Sequence, residues 1–185
     1  MLQYFWAHTS YHVARWFPPH RMTRIVLLLM VGFLSLSTLT PLLYVAILPD
    51  SYEIYCSQPL YSLNVFTIVI SIIAIGFTFV LVTMEPVVLV VKICFHSFGA
   101  ACFVIQFIIL YFISQAADCV DTTTALYYVT WTFTILSLCS TVYFALLLPF
   151  WLYAAIGNKK HLLDKKTRSG LCYEPLNCCP CLWHV

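Results

Sequence analysis

The chain has 185 residues, of which 62% are hydrophobic and 9% charged, and its net charge at neutral pH is +2. A soluble domain carries about 25% charged residues, and a globule of this size has too little interior to hide so much apolar surface. The composition therefore predicts an integral membrane protein and excludes an ordinary soluble domain. The small net charge also argues against a nucleic-acid partner.

The N-terminal segment, residues 1–20, predicts an amphipathic helix. Apolar and aromatic side chains recur at helical spacing and share one face. That face comprises Leu2, Phe5, Trp6, Thr9, Val13, Trp16 and Phe17. A helix with aromatic side chains on one face can lie in the headgroup layer of a membrane, so we expect Phe5, Trp6, Trp16 and Phe17 at the interface with membrane lipids. A helix packed on a partner protein and a disordered segment remain open.

Four long apolar runs follow the N-terminal segment, at residues 25–48, 63–84, 87–114 and 125–156. Each reaches the roughly 20 residues that a membrane-crossing helix needs. Helices are expected because the backbone must satisfy its own hydrogen bonds in lipid. Short connections favour antiparallel neighbours. The predicted fold is therefore an all-α membrane protein: a four-transmembrane-helix up-down bundle at 24–157, followed by a basic, Cys-rich cytosolic tail at 158–185.

Basic residues lie almost entirely outside the predicted spans. Three precede the first span and five follow the fourth, namely Arg15, Arg21, Arg24, Lys159, Lys160, Lys165, Lys166 and Arg168. The loops 49–62 and 115–124 contain none. The positive-inside rule therefore predicts a multi-pass protein of the plasma membrane or an endomembrane with both termini in the cytosol. The first apolar run is too long for a signal peptide, so we expect it to be retained.

Each loop predicted to lie outside carries one cysteine, Cys56 or Cys119. Disulfides persist in oxidising compartments, and the outer ends of spans two and three are close if these spans are antiparallel neighbours. A Cα separation of about 5.5–6 Å is then within reach. We predict a Cys56–Cys119 disulfide, with two unpaired cysteines as the alternative.

Few ionisable groups lie within the spans. Glu85, Lys92 and His96 could form a small polar site at the cytosolic end, or Lys92 could simply extend its amine to the headgroups. Gln106 is expected to hydrogen-bond to another helix. The cysteines of the spans, Cys94, Cys102 and Cys139, are expected to act as small buried hydrophobic residues.

A stripe of hydroxyls follows span four at helical spacing, at Thr130, Thr134, Ser137 and Thr141. Span three carries a patch of small residues at Ser97, Gly99, Ala100 and Ala101. Such faces mark close helix contacts in lipid, although a water-lined path is a second interpretation of the stripe. We expect one of these faces to pack inside the bundle and the other to dock a larger membrane protein. We assign docking to the span-four stripe, with Trp151 as an interfacial anchor.

Four cysteines lie close together in the C-terminal tail, at Cys172, Cys178, Cys179 and Cys181. Cysteines near a membrane and beside basic residues are typical S-palmitoylation sites, and we predict that modification here. A zinc site that uses Cys178, Cys179, Cys181 and His184 is the alternative, but adjacent cysteines rarely suit tetrahedral geometry. The last three residues also fit a carboxyl terminus that a PDZ domain takes by strand addition.

The sequence contains no catalytic motif, so it predicts neither an enzyme nor a metal or cofactor site. Four spans, short outer loops and a cysteine in each loop make the chain from Arg24 to Lys166 resemble the MARVEL-type and LAPTM-type tetraspans. That resemblance implies work in membrane organisation, in trafficking, or as a partner subunit. Claudins match less well, because their outer W…G-L-W-C-C signature is missing, and the 115–124 loop is too short for a tetraspanin.

Two functions fit these observations. The first is a non-enzymatic accessory or scaffolding subunit that packs against a larger channel, transporter or receptor, or organises the membrane. The alternative is a small oligomeric transporter or channel whose path is lined by Lys92, His96 and the span-four hydroxyls.

Overall fold

The structure is a computed structural model that describes residues 1–16, 21–53, 56, 58–84 and 87–156. In those ranges the regular secondary structure is helical apart from one isolated bridge between Cys56 and Gln58, and short turns and connections join the helices. The helices are α1 (Leu2–Trp16), α2 (Arg21–Ile47), α3 (Pro49–Glu53), α4 (Leu60–Thr83), α5 (Leu89–Ser114), α6 (Cys119–Thr122) and α7 (Thr124–Ile156).

Helices α2, α4, α5 and α7 are long and apolar enough to cross a membrane. The segments that meet this condition are Met22–Ile47, Leu60–Thr83, Val90–Ser114 and Thr124–Leu147. The prediction of four helices long and apolar enough to cross a membrane is therefore confirmed; most segment ends lie within about three residues of the predicted ones, and the fourth segment ends at Leu147 rather than at 156. Span two, for example, begins at Leu60, directly after Pro59, rather than at Leu63.

The four spans alternate in direction and follow one another around a bundle. Helix α2 packs on α4, α5 packs on both α4 and α7, and α7 closes the ring against α2. One end of the bundle holds a core around Cys56 and Cys119, and we call it the disulfide end. The other end holds the connection between α4 and α5, and we call it the hairpin end. This arrangement is the up-down topology that short connections favour.

Helix α1 lies inside the bundle, in its hairpin half, and contacts all four spans. Its 15 residues extend over about 22 Å at the helical rise. It begins near the middle of the spans, where Leu2 meets Ser137. None of residues 1–14 is exposed. The polypeptide is thus four spans wrapped around a shorter fifth helix.

The enclosed position of α1 corrects the prediction of an interfacial helix. Phe5 and Trp6 are half-buried among the spans rather than at a membrane surface. The side chain of Trp16 and the whole of Phe17 lie outside the described residues. The physical reason is that interfacial helices are rich in Lys or Arg on the polar face. Helix α1 carries one basic residue, Arg15, near its end, and Leu2, Gln3, Tyr4 and Trp6 hydrogen-bond to the spans.

Candidate functional site: the internal polar junction

The start of α1 forms hydrogen bonds with all four spans, and we call this set of contacts the polar junction. The Leu2 amide donates to Ser137 Oγ of α7 at 3.4 Å, and Gln3 Nε2 donates to Ser71 Oγ of α4 at 3.3 Å. Tyr4 and His96 of α5 share a hydrogen bond of 3.1 Å between the hydroxyl and Nδ1. The shortest of the four runs from Trp6 Nε1 to Ser35 Oγ of α2, at 2.7 Å. One short helix therefore ties the four spans together.

Two of the serine acceptors, Ser35 and Ser71, already donate their own protons within their helices. Ser35 Oγ donates to the Val31 carbonyl at 2.7 Å, and Ser71 Oγ donates to the Thr67 carbonyl at 2.8 Å. Such i−4 bonds are a common state of serine within a helix. Each oxygen is then left with lone pairs, and α1 supplies N–H donors to them. The donors of α1 and the acceptors of the spans are complementary.

Toward the hairpin end, α1 packs against aromatic rings of α5 and α7. The Tyr4 ring stacks on Phe95 with centroids 4.6 Å apart, and it lies 5.2 Å from the Phe144 ring. His8 meets Phe144 edge to face at 5.5 Å. Tyr4, His8 and Phe95 are all buried. Ring pairs of this kind contribute about 0.5–1.5 kcal/mol beyond the area they bury, so this cluster fixes the depth and rotation of α1.

A cavity of about 30 Å³ lies at the start of α1 and is enclosed by α1 and all four spans. Gln106 lines it and donates from Nε2 to the Thr134 carbonyl at 3.2 Å, which confirms the predicted bond to another helix. Asn64 also lines it and donates from Nδ2 to the Leu42 carbonyl at 3.1 Å. Asn64 is only 1% exposed, and its Oδ1 atom has no hydrogen-bond partner among the described residues.

A second cavity, of about 50 Å³, lies beside Trp6 between α1, α2, α4 and α7. Gln3 lines this cavity as well as the first, and its amide bonds to Ser71. Ser35 and Thr38 contribute further hydroxyls. The polar groups of the bundle are thus concentrated where α1 enters it.

The hydroxyl stripe of α7 faces the interior, and this corrects the docking prediction for three of its members. Thr130, Thr134 and Ser137 are 6%, 2% and 5% exposed, and all three line the internal cavity. A surface covered by the chain's own helices cannot contact a partner. Thr141 is half-buried, and the side chain of Trp151 lies outside the described residues. As expected for such threonines, Thr134 Oγ1 donates to the carbonyl four residues earlier, at 2.8 Å.

The small-residue patch of α5 has the opposite position. Ser97, Ala100 and Ala101 are exposed on the outside of the bundle, while Gly99 lies beneath the ring of Tyr4. The two faces are therefore arranged the other way round from the prediction. The hydroxyl stripe packs inside, and most of the small patch faces out.

Lys92 and His96 line neither of the two internal cavities. Lys92 is half-buried, and the exposed His96 bonds to Tyr4 on α1. Glu85, the third member of the predicted polar site, lies outside the described residues. The contacts described in the structure thus bring the stripe together with α1.

The predicted disulfide is present at the disulfide end. Cys56 and Cys119 have an S–S distance of 2.11 Å and a Cα–Cα distance of 5.1 Å. The bond lies in a core that includes Leu60, Ile113 and Leu126. Of the three span cysteines, Cys102 is buried as expected, whereas Cys94 and Cys139 are exposed.

The predicted palmitoylation sites Cys172, Cys178, Cys179 and Cys181 lie outside the described residues, as does the proposed PDZ ligand. Within the ranges that the structure covers, no three His, Cys, Asp or Glu side chains come together in a way that could hold a metal ion.

Comparison with known proteins identifies no relative: no family model, curated protein or solved structure matches the chain. The resemblance to MARVEL-type and LAPTM-type tetraspans therefore stays a prediction from pattern.

Sequence reasoning missed the inward face of α1, which carries Tyr4, His8 and His12, and it gave Asn64 no role. The sequence contains only a weak signal for α1, namely that it carries a single basic residue, Arg15, whereas interfacial helices are rich in Lys or Arg on the polar face. Asn64 gave a similar signal, because an amide within a span must find a partner inside the protein.

Proposed function

We propose that this chain is a non-enzymatic four-span accessory or scaffolding subunit that packs against a larger membrane protein. The observation that supports it best is the position of α1, which fills the middle of the bundle in its hairpin half. A bundle filled by its own helix and bonded to it at four points is a rigid packing unit. Its lipid-facing exterior is then the surface through which it works.

The docking surface that we propose is the outer face of α5. Ser97, Ala100 and Ala101 are spaced i, i+3 and i+4, share one side of the helix and are exposed. Burying apolar area drives no association between helices in lipid, so close approach at small residues must supply it. Further along α5, toward the disulfide end, the exposed side chains of Phe103, Phe107 and Tyr111 form a nearly flat apolar surface. A partner helix could approach closely at the alanines and pack its side chains against these rings.

The orientation and the tail complete the proposal. With both termini in the cytosol, the basic tail would lie along the inner leaflet, where each lysine adds about 1 kcal/mol of attraction to anionic lipids. Palmitoyl chains on Cys172, Cys178, Cys179 and Cys181 would fix it there, since each buried CH₂ adds about 0.8 kcal/mol. Hydroxylamine should then lower the mass of tail peptides from native membranes. An unmodified tail would remove this part of the proposal.

The test of docking is co-purification from native membranes. The double variant Ala100→Leu/Ala101→Leu should lose the partner protein that wild type retains, because added side chains prevent close approach. The matched control is Ile72→Phe/Ile73→Phe, which enlarges two exposed residues on α4. Equal partner recovery from both variants would contradict the proposed surface.

The oligomeric transporter or channel remains the second candidate, favoured by the α7 hydroxyls that line an internal cavity. Lys92→Ala separates the two functions. If the wild-type chain conducts ions across a reconstituted bilayer and Lys92→Ala abolishes that conductance, transport is supported. If neither the wild-type chain nor Lys92→Ala conducts, and the variant still recovers its partner normally, the accessory role is supported.

A further inference from the structure

We propose that the cavity at the start of α1 is a binding site for ordered water, held between Asn64 Oδ1 and the first turn of α1. The inference concerns the interior of the bundle and does not depend on the proposed function. Failure of one therefore leaves the other standing.

The first argument is the state of Asn64. Its Nδ2 group is used by the Leu42 carbonyl at 3.1 Å, and this bond fixes which way the amide points. Its Oδ1 atom, on a residue 1% exposed, has no hydrogen-bond partner among the described residues. A buried acceptor without a partner is costly and rare in native proteins. The cavity that Asn64 lines is the place from which a donor can reach it.

The second argument is the start of α1, which borders the same cavity through Met1 and Gln3. The helix begins at Leu2, and the amides of a helix's first turn have no acceptor within the helix. The Leu2 amide reaches Ser137 Oγ only at 3.4 Å, near the long limit of a hydrogen bond. The cavity therefore offers donors on one side and, on the other, a buried acceptor that has no partner among the described residues.

Water is the ligand that matches this combination, because it accepts and donates at once. A cation is disfavoured, since no carboxylate lies among the described residues that line the cavity. The N-terminal end of a helix dipole also repels positive charge. An anion is disfavoured by the unpartnered Asn64 Oδ1, because an anion cannot donate a hydrogen bond to this acceptor.

The volume is sufficient for water. The cavity measures about 30 Å³, which exceeds the roughly 10–15 Å³ that a site needs to hold one molecule. A polar cavity of this size with two or more hydrogen-bonding groups holds water, whereas apolar cavities of this kind stay dry. Organic solutes do not fit. The bound water would join α1 to α4 and become part of the polar junction.

The direct test is a crystal structure of the full chain, grown in a lipid phase, at a resolution that shows ordered water. We expect a density peak at hydrogen-bond distance from Asn64 Oδ1 and a second polar contact to the first turn of α1. No peak at well-ordered side chains would overturn the proposal. A peak with five or six oxygen neighbours at metal-ligand distances, or elongated density from a lipid or detergent, would overturn it as well.

A second measurement needs no crystal. X-ray radiolysis converts bound water to hydroxyl radicals that modify neighbouring side chains, so Phe133, which lines the cavity, should be modified in the wild-type chain in nanodiscs. The reference ring is Phe95, which is fully buried and lies away from the cavity, whereas Phe133 is half-buried and also lines the second cavity. We therefore expect Phe133 to be modified several-fold faster than Phe95, and the deciding result is a lower rate at Phe133, relative to Phe95, in Asn64→Leu. Equal rates in the wild-type chain would contradict the proposal whether or not the variant folds.

Discussion

Tyr4 lies directly on Gly99. A Cβ atom built at Gly99 would stand 2.6 Å from Tyr4 Cε2 and 2.7 Å from Cδ2. The ring has little freedom to move away, because it stacks on Phe95 and its hydroxyl is bonded to His96. The packing of α1 on α5 therefore requires glycine at position 99, since a Cβ atom there would collide with the Tyr4 ring.

Gly99→Ala should displace Tyr4 and loosen α1. Overpacking of this kind costs about 1–3 kcal/mol, measured as the free energy of unfolding in mixed micelles by titration with SDS. Gly76→Ala is the matched control, because a Cβ there meets no atom within 4 Å and alanine is the better helix former. Equal free energies of unfolding for Gly99→Ala and Gly76→Ala would show that the Tyr4 ring does not pack on Gly99.

The bond between Trp6 and Ser35 should contribute a measurable coupling energy. Trp6→Phe, Ser35→Ala and the double variant form a cycle, for which we expect a coupling energy of about 0.6 kcal/mol or more, since polar contacts between helices in lipid average about 0.6 kcal/mol and reach about 1.7 kcal/mol. Ser37→Ala provides the control. Ser37 bonds to its own helix in the same way as Ser35 but is exposed. If the coupling energy between Trp6 and Ser35 is no larger than that between Trp6 and Ser37, the hydrogen bond from Trp6 to Ser35 is contradicted.

Two threonines of α7 distinguish an inward stripe from a docking face. Thr134 is buried and Thr132 is exposed, yet each hydroxyl donates to the carbonyl four residues earlier at 2.8 Å. Thr134→Leu should lower the free energy of unfolding by about 1–3 kcal/mol through overpacking, while Thr132→Leu should change it little. If Thr134→Leu left stability intact and instead released a bound partner, the stripe would be a docking face after all.

The disulfide should be visible in the native chain and should stabilise it. Peptides prepared without reductant should include one that joins Cys56 to Cys119. Reduction should lower the free energy of unfolding by about 2–4 kcal/mol. The Cys56→Ser/Cys119→Ser variant serves as control and should not respond to reductant. Two free thiols in the native protein would contradict the bond.

The spans and the disulfide could be predicted because each depends on a local or additive property. Apolar length gives the spans, and short loops between antiparallel neighbours bring Cys56 and Cys119 together. The inward direction of the α7 stripe could not be predicted in the same way. Lipid and protein interior are both apolar, so the pattern of span four does not reveal which of its sides faces outward.

The position of α1 inside the bundle could not be predicted from the sequence for a different reason. A face with Phe5 and Trp6 suits a headgroup layer and a protein interior equally well, and the partners that decide between them lie far away in sequence. Ser137, for example, accepts a hydrogen bond from the amide of Leu2, which is 135 residues away in the sequence. The water site was beyond reach of sequence as well, because a cavity arises only when five helices meet.

The position of α1 is tested most directly by photocrosslinking in native membranes. Phe5 is replaced by p-azidophenylalanine, which conserves the ring that lies 5.1 Å from the Tyr143 ring. Irradiation should join the α1 peptide to the peptide of the same chain that contains Tyr143 and Phe144. The same analogue at Phe66, which is 47% exposed on α4, should give lipid adducts. If the Phe5 analogue yields lipid adducts and no link to α7, then α1 lies at the membrane surface and not inside the bundle.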